Sequence, residues 1–371
     1  MSAPAARHDD AGRPAEPLDL AAAAALAGVR GANPLVGAVI TGPDGAVLAV
    51  GHHRGRGTAH AEVDALNRWA AARAADPSLH VDPAACTIHV TLEPCDHTGS
   101  TGPCAGAILD AGLGAVRYAV ADATGTAGGG AARLTRAGLR VEGPTGHAAS
   151  AALTARWRRV RDAGRPWITV HLAQSLDGRA AAADGTSRWI TGPASRAHAH
   201  AVRARVDAVV CGTGTVAADD PRLTARDAAG EQLPVQPVPV VMGERDLPAG
   251  AALAARADLI HVRSHDPRAV LAALASRPGP WPHGGSRPGH VLIEGGPHVL
   301  GAWLAAGLVD EVFAYTAPVL LGDGLPGVAG LDVPTLAAGH RWAPDPAEDG
   351  PVRALGDDVL THLAPVTDPA D

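Results

Sequence analysis

The chain has 371 residues, enough for two domains rather than one. Its hydrophobic share of 46% against 19% charged residues is that of a folded globular protein, and a net charge of −7 argues against a nucleic-acid backbone as partner. No lysine occurs, so arginine and any protonated histidine carry all positive charge.

Residues 1–16, rich in Ala, Pro and charge, read as disordered. A helix of small residues follows over 18–30, too short and alanine-rich for a membrane span. Strands are predicted at Val36 to Ile40 and Val47 to Val50, around the turn Gly42-Pro43-Asp44-Gly45. A helix from His60 to Ala75, a strand from Thr87 to Leu92, a helix from Cys104 to Ala111 and a strand from Val116 to Ala121 complete an α/β pattern. Gly, Pro and a basic cluster (Arg156, Arg158, Arg159, Arg161) mark a boundary within 142–165, and the cluster reads as a solvated helix face. The second half opens with a strand at Trp167 to Leu172. Helices near 194–205, 266–276 and 297–306 then alternate with strands at Ala208 to Cys211, Pro239 to Met242, Leu259 to Val262 and His290 to Ile293. Residues 276–290 read as a surface loop. No basic stretch with an apolar core opens the chain, so no signal peptide is expected. The four cysteines form no disulfide framework, which suits a reducing cytoplasm.

The strongest chemical signal is His60-Ala61-Glu62, then Pro94-Cys95 and, further on, Cys104. Catalytic zinc takes three protein ligands and keeps one position for water, whose pKa it lowers toward neutrality. One imidazole and two thiolates supply that set, and helix N-termini beside Cys95 and Cys104 would favour thiolate. Glu62 stands two residues from the His60 ligand, where the glutamate of a zinc deaminase moves protons without binding metal. A purely structural zinc site would need a fourth ligand, for which His97 is the candidate.

These segments resemble the cytidine-deaminase-like superfamily and, within it, the bifunctional riboflavin-biosynthesis deaminase/reductase family. The resemblance rests on Asn33-Pro34-Leu35-Val36-Gly37, His60-Ala61-Glu62-Val63, Thr91-Leu92-Glu93-Pro94-Cys95 and the long spacing from Cys95 to Cys104. In the second half it rests on Ser175-Leu176-Asp177-Gly178-Arg179, Ser187-Arg188-Trp189-Ile190-Thr191, Gly212 to Thr224 and Glu294-Gly295-Gly296-Pro297. It implies an α/β fold: a cytidine-deaminase-like α/β/α sandwich over 17–150 joined to a dihydrofolate-reductase-like α/β domain over 165–366.

The implied chemistry is zinc-dependent hydrolytic deamination of 2,5-diamino-6-(5-phosphoribosylamino)pyrimidin-4-one, then NADPH-dependent reduction of the ribosyl to the ribityl group. One Zn2+ per chain would sit on His60, Cys95 and Cys104, with Glu62 catalytic. Asn33, His53 and His97 would contact the pyrimidine. NADPH would lie on Ala173, Trp189, Thr215 and Asp219, with Gly296, Pro297, His298, Val299, Leu300, Gly301 and Ala302 by its phosphates. His171, Ser187, Arg203, Leu223, Arg226 and Glu294 would hold the substrate. A homo-oligomer is implied, with no nucleic-acid or membrane partner.

Simpler readings stand beside these. Arg203 and Arg226 would by themselves be surface ion pairs, Trp189 a core residue, Asp177 and Asp220 turn or cap residues, and Cys211 a small buried apolar group. Arg245 is a weak candidate for a 2′-phosphate. Three positions depart from the family pattern: Ser100 and His171, where Lys or Arg and Lys are usual, and Asp122-Ala123-Thr124 for Asp-Pro-Asn. If His171 acts as a cation, reduction falls as the imidazole titrates near neutrality. The departures support an alternative: a diverged paralogue acting on a related pyrimidine or pterin, with one domain inactive. A nucleic-acid editing enzyme is disfavoured by the acidic charge, and a non-catalytic zinc scaffold by Glu62.

Overall fold

Strands and helices gather into two units, the first ending at Arg159 and the second beginning at Val160, within helix α5 (Ala148–Asp162). The computed structural model describes residues 16–31, 33–55, 57–76, 78, 80–97, 102–122, 128–283, 286–345 and 350–366. Residues 1–15, Ser100, Ala123 and Thr124 lie outside them. Among the described residues, no helix is long and apolar enough to cross a membrane.

The first unit is built on one five-stranded sheet of order β2-β1-β3-β4-β5. Its strands are β1 (Gly37–Thr41), β2 (Val47–His52), β3 (Thr87–Leu92), β4 (Ala115–Val120) and β5 (Arg140–Glu142). β1 is antiparallel to β2 and β3, whereas β3, β4 and β5 run parallel. Helices α1 (Pro17–Ala25), α2 (Ala61–Ala75), α3 (Cys104–Asp110) and α4 (Gly130–Arg136) complete the layers. α1 is shorter than the 18–30 span read from sequence. Ile40, Trp69, Ile88, Val90, Ile108, Val116 and Leu134 share the core.

In the second unit, six parallel strands run in the order β10-β9-β8-β11-β6-β12, and antiparallel β16 and β14 extend the sheet. They are β6 (Trp167–Ser175), β8 (Ala208–Gly212), β9 (Val238–Met242), β10 (Ile260–Val262), β11 (His290–Ile293), β12 (Glu311–Ala317), β14 (Trp342–Pro344) and β16 (Asp358–Pro365), the last also pairing with β15 (Val352–Leu355). β7 (Arg179–Ala181) and β13 (Leu325–Pro326) make a separate ribbon. β8 and β9 are buried along their whole length, which explains their unbroken apolar runs. The helices are α6 (Pro193–Arg203), α7 (Thr213–Asp219), α8 (Pro267–Ser276) and α9 (Pro297–Ala305). Pro267 opens α8 behind the Asp266 cap, and Pro297 opens α9.

Two expectations change here. The stretch 276–290 is not simply a surface loop: Trp281 is buried in the core with Val210, Val240 and Trp303. Asp207 holds its end by accepting from the backbone N–H of His283, Gly289 and His290. Trp189 is no core residue; it is 69% exposed, with the Arg196 guanidinium 4.6 Å from its ring centre.

Candidate functional site

In the first unit the chemical groups meet where β3 ends and where α2 and α3 begin. His60 is the N-cap of α2 and spends no side-chain bond on capping. Its Nδ1 lies 3.2 Å from Cys104 Sγ and 3.5 Å from Cys95 Sγ. These three donor atoms all lie within 4.8 Å of one another, and His97 is not among them. Cys104 is the first residue of α3, as its spacing suggested, but Cys95 lies in the loop after β3. The Cys95 thiol is held down by the hydrogen bond from the Cys104 thiol, helped by the Cys104 backbone N–H at 3.5 Å. The same bond and burial push Cys104 up. One imidazole and two thiols in one cluster are a donor set that fits zinc, which would bind the thiols as thiolates.

Glu62, in the first turn of α2, is buried and in hydrogen-bond contact with Cys104. Burial lifts its carboxyl to about 7, opposed by His60. Asn33 Nδ2 donates to His53 Nε2 at 2.8 Å, and His53 Nδ1–H donates to the Ala59 carbonyl at 3.0 Å. Burial lowers the His53 pKa, and its ring meets that of His60 edge-on at 5.4 Å. His97 is half-buried. The Cys95 loop is fixed from behind: Gly130 passes so close that a Cβ would lie 1.8 Å from the Pro94 carbonyl oxygen. Glu93 accepts from the backbone N–H of Asp122, Gly129 and Ala131, each at 3.2 Å.

The second unit carries a cavity of about 1300 Å³ beyond the carboxyl ends of its parallel strands, where open α/β sheets bind ligands. Every residue assigned to its cofactor or substrate by resemblance lines it except Gly301. Gly301 is packed against the Ala329 carbonyl, where a Cβ would sit at 1.8 Å. Thr215 Oγ1 accepts from Gly296 N–H at 3.2 Å, joining the α7 start to the glycine pair before α9. Arg188 donates to the Asp219 carbonyl. Leu223 holds φ 51°, a left-handed conformation that costs an L-residue about 1–2 kcal/mol.

Arg203 is not a surface ion pair. Its Nε donates to both Glu294 oxygens at 3.0 and 2.9 Å, Nη2 also meets Oε2, and Nη1 reaches the Thr224 carbonyl at 3.2 Å. Glu294 is held well below the usual carboxylate range: burial resists, but the Arg203 charge and the His171 hydrogen bond prevail. His171 Nδ1 lies 3.0 Å from Glu294 Oε1. Arg226 bonds Thr224 Oγ1 and the Gly230 carbonyl. Asp177 takes backbone N–H bonds from Leu321 and Gly322, and Asp220 ends α7 and accepts from Ala252 N–H, so both serve turns and caps. Buried Cys211 is pushed up to about 12 by desolvation.

Residues 15–120 match the cytidine and deoxycytidylate deaminase zinc-binding region, and residues 166–342 match the RibD C-terminal domain. Riboflavin biosynthesis protein RibD of Mycobacterium tuberculosis is 41% identical over 89% of this chain and 91% of its own. The Escherichia coli K12 protein of that name is 33% identical over 89% and 93%. The chain belongs to the RibD family. It is a bifunctional deaminase and reductase of riboflavin biosynthesis, the deaminase being zinc-dependent, and the reductase domain implies a nicotinamide cofactor. Acinetobacter baumannii RibD in one crystal form has a TM-score of 0.68 at 30% identity, covering 95% of this chain and 97% of that one.

Beside the residues that carry the RibD resemblance, the cavity wall holds side chains that sequence reading passed over. His265 follows β10, and Tyr315 stands on β12. Tyr315 Oη lies 2.8 Å from His198 Nδ1. Arg245, named only weakly from sequence, lies on the wall after β9, with Nη2 3.2 Å from where a Gly214 Cβ would be. A basic residue just past a strand end was the one available signal for it.

Proposed function

We propose that a deaminase domain over residues 17–150 hydrolyses the amino group of 2,5-diamino-6-(5-phosphoribosylamino)pyrimidin-4-one. A reductase domain over 165–366 then converts the ribosyl to the ribityl group with NADPH. A Thermotoga maritima protein, 26% identical with a TM-score of 0.66, supports the substrate pair. It is described as a diaminohydroxyphosphoribosylaminopyrimidine deaminase/5-amino-6-(5-phosphoribosylamino)uracil reductase.

The observation that carries the deaminase reading is the packing of one imidazole nitrogen and two sulfurs within 4.8 Å, with the buried Glu62 carboxyl against them. His60, Cys95 and Cys104 would hold one zinc ion per chain, which supplies, when bound, a Lewis acid that makes water nucleophilic near neutral pH. Glu62 would take one proton from the attacking water and give it to the ring nitrogen, then take the second from the resulting hydroxyl and give it to the amine, which leaves as ammonia. Asn33 turns its amide N–H to His53, which leaves its carbonyl oxygen to accept from the pyrimidine. His53 and His97 complete that wall.

In the reductase, Ala173, Trp189, Thr215, Asp219 and residues Gly296 to Ala302 would hold NADPH, which supplies hydride. The α9 N-terminus suits its phosphates, and Arg245 gives the 2′-phosphate a positive partner, with His265 on the same wall as a hydrogen-bonding neighbour. His171, Ser187, Arg203, Leu223, Arg226 and Glu294 form the substrate wall, where arginine forks suit a sugar phosphate. Four buried cysteines outside any disulfide support a cytoplasmic setting. A homo-oligomer is part of the proposal and is checked by light scattering.

The test is incubation of the zinc-loaded chain with the phosphoribosylaminopyrimidine, with and without NADPH, products being followed by mass. Deamination alone without NADPH, and further gain of two hydrogens with it, is expected. Failure of either step would favour a diverged paralogue with one silent domain.

A further inference from the structure

His171 stands where the family resemblance places a lysine, yet its two ring nitrogens are both taken by the protein. Nδ1 lies 3.0 Å from Glu294 Oε1, and Nε2 lies 3.5 Å from Tyr315 Oη. The direction of these bonds follows from the far end of a longer string. Arg353 Nη2 lies 2.9 Å from His198 Nε2 and can only donate. His198 therefore accepts on Nε2 and donates from Nδ1–H to Tyr315 Oη at 2.8 Å. Burial lowers His198, so it stays neutral and keeps that single tautomer at neutral pH. Tyr315, its oxygen serving as acceptor, turns its own O–H toward His171 Nε2. His171 then carries its proton on Nδ1 and gives it to Glu294.

We propose that Arg353, His198 and Tyr315 form a one-way hydrogen-bond string that makes His171 a positioning residue for Glu294, not a cation offered to the substrate. Three elements supply it: His198 lies on α6, Tyr315 on β12 and Arg353 on β15. His171 itself pairs across to Phe313, next to Tyr315 on the same face of β12. Glu294 then meets the substrate as an acceptor held from one side by Arg203 and from the other by His171. This rests on the reductase reading only for its use, not for its existence.

Nitrogen NMR of the full apo chain, 15N-labelled at histidine and assigned with His171→Gln and His198→Gln spectra, tests the string without substrate or activity. At pH 7 His171 is expected to show a protonated Nδ1 and an unprotonated Nε2. A protonated Nε2, alone or with Nδ1, overturns the proposal. Kinetics then test its use. An amide can donate to Glu294 and accept from Tyr315, so His171→Gln is expected to keep reductase kcat within about tenfold, while His171→Leu loses more than about a hundredfold. Tyr315→Phe is expected to lower kcat while KM for the nicotinamide cofactor holds, and to abolish the single His171 tautomer in the spectrum. Equal loss in His171→Gln and His171→Leu, with His171→Lys fully active, would restore the cation role and refute positioning. A correct tautomer in a wild-type chain that reduces nothing would sink the reductase reading and leave the string standing.

Discussion

Glu294→Gln removes one charge from a largely buried ion pair of the second unit and leaves its partner behind. Arg203 places Nε and Nη2 on both carboxylate oxygens and spends only Nη1 elsewhere, on the Thr224 carbonyl. Breaking a buried pair from one side costs about 3–5 kcal/mol. The Arg203 side chain is still 21% exposed and keeps Thr224, so the lower end, about 3 kcal/mol, applies. In a unit of this size that is a fall of about 6–12 °C in its melting transition. The double variant Arg203→Met with Glu294→Leu leaves no buried charge, but takes a partner from the His171 Nδ1–H and a bond from the Thr224 carbonyl, a cost of about 1–2 kcal/mol. Calorimetry of the full chain should therefore show the single variant melting lower than the double one. A Glu294→Gln transition within about 2 °C of wild type, or a double variant that loses the sum of both singles, would refute this account.

Three further outcomes are expected. Glu62→Gln should slow deamination by about 10²–10⁴-fold while metal analysis still finds zinc and reduction of the deaminated substrate continues; retained deamination would remove Glu62 from the chemistry. Arg245→Ala should raise KM for NADPH by about tenfold or more and leave KM for NADH unchanged, and equal effects on both would exclude a 2′-phosphate contact. Burial lowers His290 from 6.5 to about 4, so the folded state resists a proton that the unfolded state takes up. Its stabilisation is whole above pH 6.5 and is lost as pH falls from there toward 4, about 2 kcal/mol being gone by pH 5. Urea titrations at pH 7.5 and 5 should show that loss in wild type and a smaller one in His290→Gln; identical pH dependence in both would contradict it.

The candidate zinc donors and the proposed catalytic glutamate were readable because each sits at a local landmark: His60 and Glu62 at the start of α2, Cys104 at the start of α3, Cys95 just past β3. β8 and β9 were equally plain as unbroken apolar runs. The far edge of the second sheet was not read, because its strands bury polar groups that only distant partners satisfy. Glu311 at the start of β12 takes bonds from Thr169, Trp167 and His362, the last two residues lying 144 and 51 positions away. A buried Glu and His break the apolar pattern that identifies a strand, so β12 and β16 went unseen, and Tyr315 with them. Trp281 and Trp189 exchanged their expected places for a related reason: residue type gives a ring's preference for burial, but the surrounding chain decides which ring finds a pocket.

In both units an imidazole with no nitrogen to spare sets the direction of a neighbouring group. His53 takes the Asn33 amide on Nε2 and gives Nδ1–H to the Ala59 carbonyl, six residues on. His171 takes Tyr315 on one side and gives to Glu294 on the other. The difference lies in what fixes the proton. A backbone carbonyl nearby in sequence cannot donate, so His53 has its tautomer imposed by its own loop. Glu294 could take a bond from either form of His171, and the choice is made three side chains away, by an arginine that cannot accept. The deaminase wall should thus tolerate change in distant residues better than the reductase wall, whose central carboxylate depends on a residue as far off as Arg353.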